Sequence, residues 1–105
     1  MARRLLFRVT SPLGYTVVIT RDRWRQIVRF KHPALTGHER LVQGCIREPE
    51  TIRESAKDAA VHLYYSGSPR GYLCVAVAPS TEEEYFVVTG YFTDEIKKGR
   101  DLWRR

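Results

Sequence analysis

The sequence predicts an α+β fold: two N-terminal helices packed on one face of a curved antiparallel β-sheet, in the order ββααββββ. Three observations predict it. Short runs of β-branched and aromatic residues stand before residue 20 and recur after residue 60. Two stretches between them carry apolar residues at helical spacing. Pro and Gly sit at the boundaries, where turns need them. A chain of 105 residues predicts a single domain, 1–105, with one modest core.

Residues 5–9 and 15–20 read as two short strands, joined by a turn at Ser11-Pro12-Leu13-Gly14. Thr20 is placed to cap a helix that runs to about Lys31. Trp24, Ile27, Val28 and the stem of Lys31 share its inner face at i, i+3, i+4 and i+7. Pro33 drives His32 out of helical geometry, which places His32 at the helix exit. Residues 37–47 read as a second helix with Leu41, Val42, Cys45 and Ile46 inside, closed by Pro49. Residues 51–55, 61–65, 72–78 and 84–92 read as four further strands. The hairpin loops fall at 66–71 and 79–83, and 93–98 suits a brief helical turn. In the last strand, alternation puts Phe86, Val88 and Phe92 beneath the helices, with Gly90 between them. Tyr85, Val87, Thr89 and Tyr91 then line an open face.

Composition narrows the function classes. The longest unbroken apolar run, residues 72–78, is far short of a membrane span. The basic start has too short an apolar run after it for a secretory leader, so a cytoplasmic location and no membrane partner are expected. Cys45 and Cys74 fall in apolar patterns and read as buried free thiols. Neither has a His or Cys at ligand spacing, so no metal and no cofactor is expected. There are 18 basic against 12 acidic residues, a net charge of +6. Residues 1–50 hold ten basic and four acidic residues, whereas 51–105 hold eight of each. The excess therefore belongs to the first half. Within it, Arg21, Arg25 and Arg29 drift by only about 80° over two turns and make a basic stripe, with Lys31 beyond them. Such a stripe suits a polyanion, nucleic acid above all, or serves solubility alone.

Cleavage of RNA without metal needs a base for the 2′-hydroxyl, an acid for the leaving 5′-oxygen and cations for the phosphate. His32 is the most pointed candidate, because it leaves the helix that carries the Arg stripe. A His that simply complements the helix dipole would stand in the same place. His38 reads as a half-buried packing residue. His62 sits on a strand beside Tyr64, free either to join the Thr89 and Tyr91 face or to stand exposed. Tyr64, Tyr85 and Tyr91 are candidate stacking rings for bases, or ordinary residues at the edge of the core.

Two segments carry a resemblance. The first is Arg23-Trp24-Arg25-Gln26-Ile27-Val28-Arg29-Phe30-Lys31-His32-Pro33. The second is Phe86-Val87-Val88-Thr89-Gly90-Tyr91-Phe92-Thr93, followed by Ile96-Lys97-Lys98-Gly99. With the Pro49 turn leading to Ile52 and Ser55, most of residues 15–100 resembles a phage-associated group of small nucleases. These belong to the barnase–EndoU–colicin–RelE superfamily of metal-independent RNases and toxins. The same shape also reads as an uncharacterised domain family. The resemblance implies that His32 acts in proton transfer, that Arg47 and Arg53 neutralise the phosphate, and that Thr89 and Tyr91 position it. One departure stands out: relatives often carry a second His where this chain has Gln26, and Gln exchanges no proton near neutral pH. Ala34 likewise replaces an acidic residue.

The expectation is therefore a toxin-like endoribonuclease that leaves a 2′,3′-cyclic phosphate. Arg21, Arg25, Arg29, Lys31, Tyr64 and His62 would hold the RNA (tRNA or mRNA), and an antitoxin or immunity protein is the expected partner. Its alternatives are a nucleic-acid-binding module without chemistry, and a protein-interaction domain of a phage or toxin system.

Overall fold

The computed structural model describes residues 4–69 and 71–105. Arg70 of the expected 66–71 loop and the first three residues lie outside them. The chain opens with β1 (Leu5–Thr10) and β2 (Thr16–Thr20), then α1 (Arg21–Gln26). Thr20 caps α1 as expected, its hydroxyl accepting from the Arg23 N–H at 3.1 Å. The helix does not continue to Lys31 in α form. Residues Ile27–Lys31 widen into a π-turn, closed by a 2.7 Å bond from the His32 N–H to the Ile27 carbonyl. A 3-10 turn, Pro33–Leu35, follows, and then α2, Glu39–Arg47.

Five strands complete the sheet: β3 (Thr51–Glu54), β4 (His62–Ser68), β5 (Gly71–Pro79), β6 (Glu84–Thr93) and β7 (Asp101–Arg104). The sheet order is β1-β2-β6-β5-β4-β3-β7. Two features correct the sequence-based expectation. The C-terminal segment, read as a lone Trp anchor, is a seventh strand, with Trp103 paired to Ile52. The sheet is also mixed, because β2 runs parallel to β6. Thr93 ends β6 and residues 94–98 form no helix; the chain bends at Asp94 and Glu95, and Ile96 packs on the sheet.

The helices share one buried cluster with the sheet. Val42, Cys45 and Ile46 of α2 join Trp24 and Ile27 against Phe7, Val17, Ile52, Tyr64, Leu73 and Val75. Burying such side chains contributes about 1.5–3 kcal/mol each, so this layer holds the domain together. Leu41, expected on the inner face of α2, is 40% exposed, since the buried stripe centres on Val42, Cys45 and Ile46. His38, expected half-buried, is exposed, with its ring edge-on to Phe92 at 5.8 Å. The opposite face carries a smaller cluster of Leu63, Tyr65, Cys74 and Ala76, with Tyr91 and Ile96 against it. Both cysteines are free and buried. Among the described residues no helix is long and apolar enough to cross a membrane.

A β-bulge corrects the predicted faces of β6. Ala76 pairs with Thr89 and Val77 with Val87, so Val88 is the extra residue. Before the bulge, Tyr85 and Val87 pack with the helix-side core. After it, Gly90 lies against Leu35 on that side, while Val88 and Tyr91 pack opposite. Strict alternation assigns Tyr85, Val87 and Val88 to the wrong faces, because one inserted residue reverses the parity.

Candidate functional site

The parallel pairing of β2 to β6 lasts only from Thr16↔Glu84 to Val18↔Phe86. Beyond it, the outer edge of β6 is left to the chain leaving α1. Gly90 makes the seat: a Cβ there would lie 3.3 Å from Leu35 Cδ1, so glycine lets the 3-10 turn approach closely. The turn delivers His32 around this edge. Its ring lies against Tyr91, with centroids 5.6 Å apart and planes tilted by 34°. Residues Lys31 to Leu35 and Tyr91 with Phe92 line a cleft of about 310 Å³ at this point.

A third group reaches the same ring. The Lys97 ammonium lies 5.5 Å from the Tyr91 centroid, a cation–π distance. Lys97 is held there by its own backbone. Its N–H donates to the Tyr65 hydroxyl at 3.2 Å, and its carbonyl accepts from Arg53 Nη1 at 3.2 Å. Gly99 allows the returning chain to pass β3, since a Cβ on it would meet the Glu54 carbonyl at 2.3 Å. The Tyr91 hydroxyl faces the Cys74 thiol. Burial, then that hydrogen bond, pushes the phenol above its usual range, and burial raises the thiol as well. Burial thus favours the neutral phenol of Tyr91.

The other expected site residues are placed as follows. Arg53 is next to Lys97, and its Nε lies 3.0 Å from Asp101 Oδ1 but off the N–H axis. The contact is an ion pair without a hydrogen bond, so part of the Arg53 charge is already matched. Thr89 Oγ1 is buried and makes no hydrogen bond among the described residues. Arg47 stands exposed in the last turn of α2, with no bond to the His32 cluster. Arg21, Arg25, Arg29 and Lys31 are all exposed, and among the described residues only Arg25 of these is ion-paired, to Asp22 at 3.6 Å. Tyr64 is fully buried, where no base can stack on it.

His62 belongs to a different cluster. Its Nδ1 lies 2.7 Å from the Tyr15 hydroxyl, Tyr64 donates to Tyr15 at 2.6 Å, and Ser11 bonds to Tyr64 in turn. Tyr15 stacks on Tyr85 at 3.6 Å, and His62 lies 5.2 Å from the same ring. The sheet curls enough to bring the β1–β2 turn to β4, although β6 and β5 lie between them in the sheet order. Burial lowers the His62 pKa, with Glu54 opposing, and pushes Tyr64 up to about 12. His62 is therefore on the helix side, apart from Thr89 and Tyr91.

Sequence reasoning missed Lys97, although the residue stands in the quoted Ile96-Lys97-Lys98-Gly99 segment. It also missed Phe30, which is 74% exposed. Phe30 is absent from the inner face that Trp24, Ile27, Val28 and Lys31 define, so its exposure was legible in that spacing. Among the described residues no three His, Cys, Asp or Glu side chains gather to hold a metal. Comparison with protein-family models, with curated proteins and with solved structures finds no match.

Proposed function

We propose that the chain is an endoribonuclease of the toxin type, akin to the barnase–EndoU–colicin–RelE superfamily, with His32 as its proton carrier. The observation that carries this reading is the convergence of His32 and Lys97 on Tyr91, from segments far apart in the chain. Imidazole is the side chain suited to proton exchange near neutral pH. His32 takes the 2′-hydroxyl proton as the 2′-oxygen bonds to phosphorus. The bond from phosphorus to the 5′-oxygen then breaks, and His32 returns the proton to that oxygen. The products are a 2′,3′-cyclic phosphate and a 5′-hydroxyl end. Lys97 and Lys31 supply the positive charge that the phosphate needs, with Arg53 behind Lys97. Imidazole and ammonium suffice for these steps without a metal ion.

One imidazole serving as both base and acid predicts slow turnover. A second reading, a module that binds RNA without cutting it, is favoured by Gln26, which stands where the resembling nucleases carry another His. Incubation of the protein with total RNA in EDTA, beside His32→Ala, decides between the two. Fragments ending in cyclic phosphate that vanish in the variant support the nuclease. Salt-sensitive binding without fragments supports the module, and no affinity at low salt refutes both.

A further inference from the structure

Phe30 is the most exposed large hydrophobic side chain among the described residues, and it stands within the basic stripe. The Arg29 guanidinium lies 5.3 Å from its ring centroid. Phe30 also lines a shallow cleft of about 200 Å³ with Asp22, Arg25, Gln26 and Arg29. Phe30 and His32 lie on either side of Lys31, which lines the His32 cleft. Phe30 stands in the π-turn that follows α1, off the buried face that Trp24 and Ile27 share.

We infer that Phe30 is a stacking platform for an unpaired base of a single-stranded RNA, whose phosphates lie along Arg25 and Arg29. The inference rests on the RNA reading above and adds the strandedness of the substrate and the residue that selects it. An aromatic face beside cations is what single-strand binding requires, since every unpaired base offers a π-face and every linkage a negative charge. Bases inside a duplex are already stacked and have no face to offer. A second copy of this chain is a poor occupant, because its own Arg stripe would oppose this one. The charge pattern asks for a polyanion, and Phe30 asks for one with exposed planar rings.

The test uses a labelled 2′-O-methyl oligouridine of about ten nucleotides, which binds like RNA but cannot be cut. Affinity is measured by fluorescence anisotropy for the single strand and for the same strand annealed to its complement. The intact protein is expected to prefer the single strand. Phe30→Ala is expected to lose about five- to 150-fold on the single strand and little on the duplex. Phe30→Trp is expected to bind at least as tightly as the parent. Because Phe30 is solvent-exposed, neither substitution removes core packing, and circular dichroism checks that the fold is intact. Undiminished binding by Phe30→Ala, with a loss in Arg25→Ala/Arg29→Ala, overturns the platform while leaving the RNA reading in place. No binding by the parent protein overturns both. Equal affinity for strand and duplex, with Phe30-dependent binding to phosphatidylserine vesicles, overturns the platform in favour of a lipid surface.

Discussion

Among the described residues His32 and His62 both lie against tyrosines, and their settings are opposite in character. At the β1–β2 turn, His62 is hydrogen-bonded to Tyr15 and joined through it to Tyr64 and Ser11. Every hydroxyl in that chain has a partner, and burial disfavours its charged forms. At the outer edge of β6, His32 only leans on Tyr91, and its ring makes no hydrogen bond among the described residues. The Lys97 ammonium stands over the same tyrosine, and the cleft that His32 and Tyr91 line is open to solvent. The first arrangement spends its polar groups on one another and holds two parts of the sheet together. The second leaves an imidazole free to act on something else. The contrast teaches that a His beside a Tyr is not in itself a site; what matters is whether the ring nitrogens are already committed.

The strongest way to break this contrast is to exchange the fates of the two histidines. His32→Ala is expected to lower RNA cleavage by about 10²- to 10⁴-fold, the usual contribution of a general acid–base group, with an unchanged melting curve. His62→Gln keeps an acceptor for Tyr15 and is expected to leave the cleavage rate within about threefold of the parent. Fragment analysis on total RNA with EDTA measures both. Equal losses in the two variants would mean that the sealed cluster takes part in the chemistry.

The sealed cluster is sharpened by Tyr64→Phe, which deletes one hydroxyl and no volume to speak of. Ser11 and Tyr15 each lose a partner in a buried setting, so a loss of about 1–3 kcal/mol in unfolding free energy is expected in urea. Cleavage should be untouched under conditions where the variant is folded. At the other site, Gly99→Ala is expected to cost about 1–2 kcal/mol, because a Cβ would collide with the Glu54 carbonyl at 2.3 Å. The chain must shift to relieve that collision, and Lys97 moves with it. A fall in cleavage of several-fold is therefore expected, beyond what the lower stability explains. An unaffected rate would detach Lys97 from the proposed chemistry.

The reach of the sequence differs between these two regions for a physical reason. Local rules found the Thr20 cap, the His32 exit, the buried thiols and the exposed Arg stripe, since each depends on neighbours a few positions away. They placed six of the seven strands. They did not reveal β7, because Asp101-Leu102-Trp103-Arg104 lacks the alternation of a strand and forms only by pairing with β3. They assigned part of β6 to the wrong face, because the Val88 bulge has no turn residue to announce it. Phe30 was overlooked although the spacing of Trp24, Ile27, Val28 and Lys31 already leaves it off the buried face. Of the candidate site, the His32–Tyr91 pair was named but Lys97 was not given a role. Its position depends on the path of residues 94–100 across the sheet, and that path is set by Tyr65, Arg53 and Gly99. The sealed cluster was invisible altogether: it needs the curl of the whole sheet to bring Tyr15 to His62.

The smallest effect expected is also the one that tests whether the sealed cluster is committed to a neutral imidazole. Tyr64 donates to Tyr15, and Tyr15 can donate its own proton to His62 Nδ1 only while that nitrogen is unprotonated. The pKa of His62 is lowered from the ordinary 6.5, chiefly by burial. Below that ordinary value the unfolded chain binds more protons at this residue than the folded one does. Stability contributed by the cluster is therefore complete above about pH 6.5 and declines as the pH falls through the lowered value. Urea midpoints taken between pH 8 and pH 5 should fall toward the acid side by less than the Tyr64→Phe loss. His62→Gln should flatten that part of the profile, since an amide accepts the Tyr15 hydrogen bond at any pH. A slope that persists unchanged in the variant would assign the acid sensitivity to other groups, and would leave His62 indifferent to its own charge.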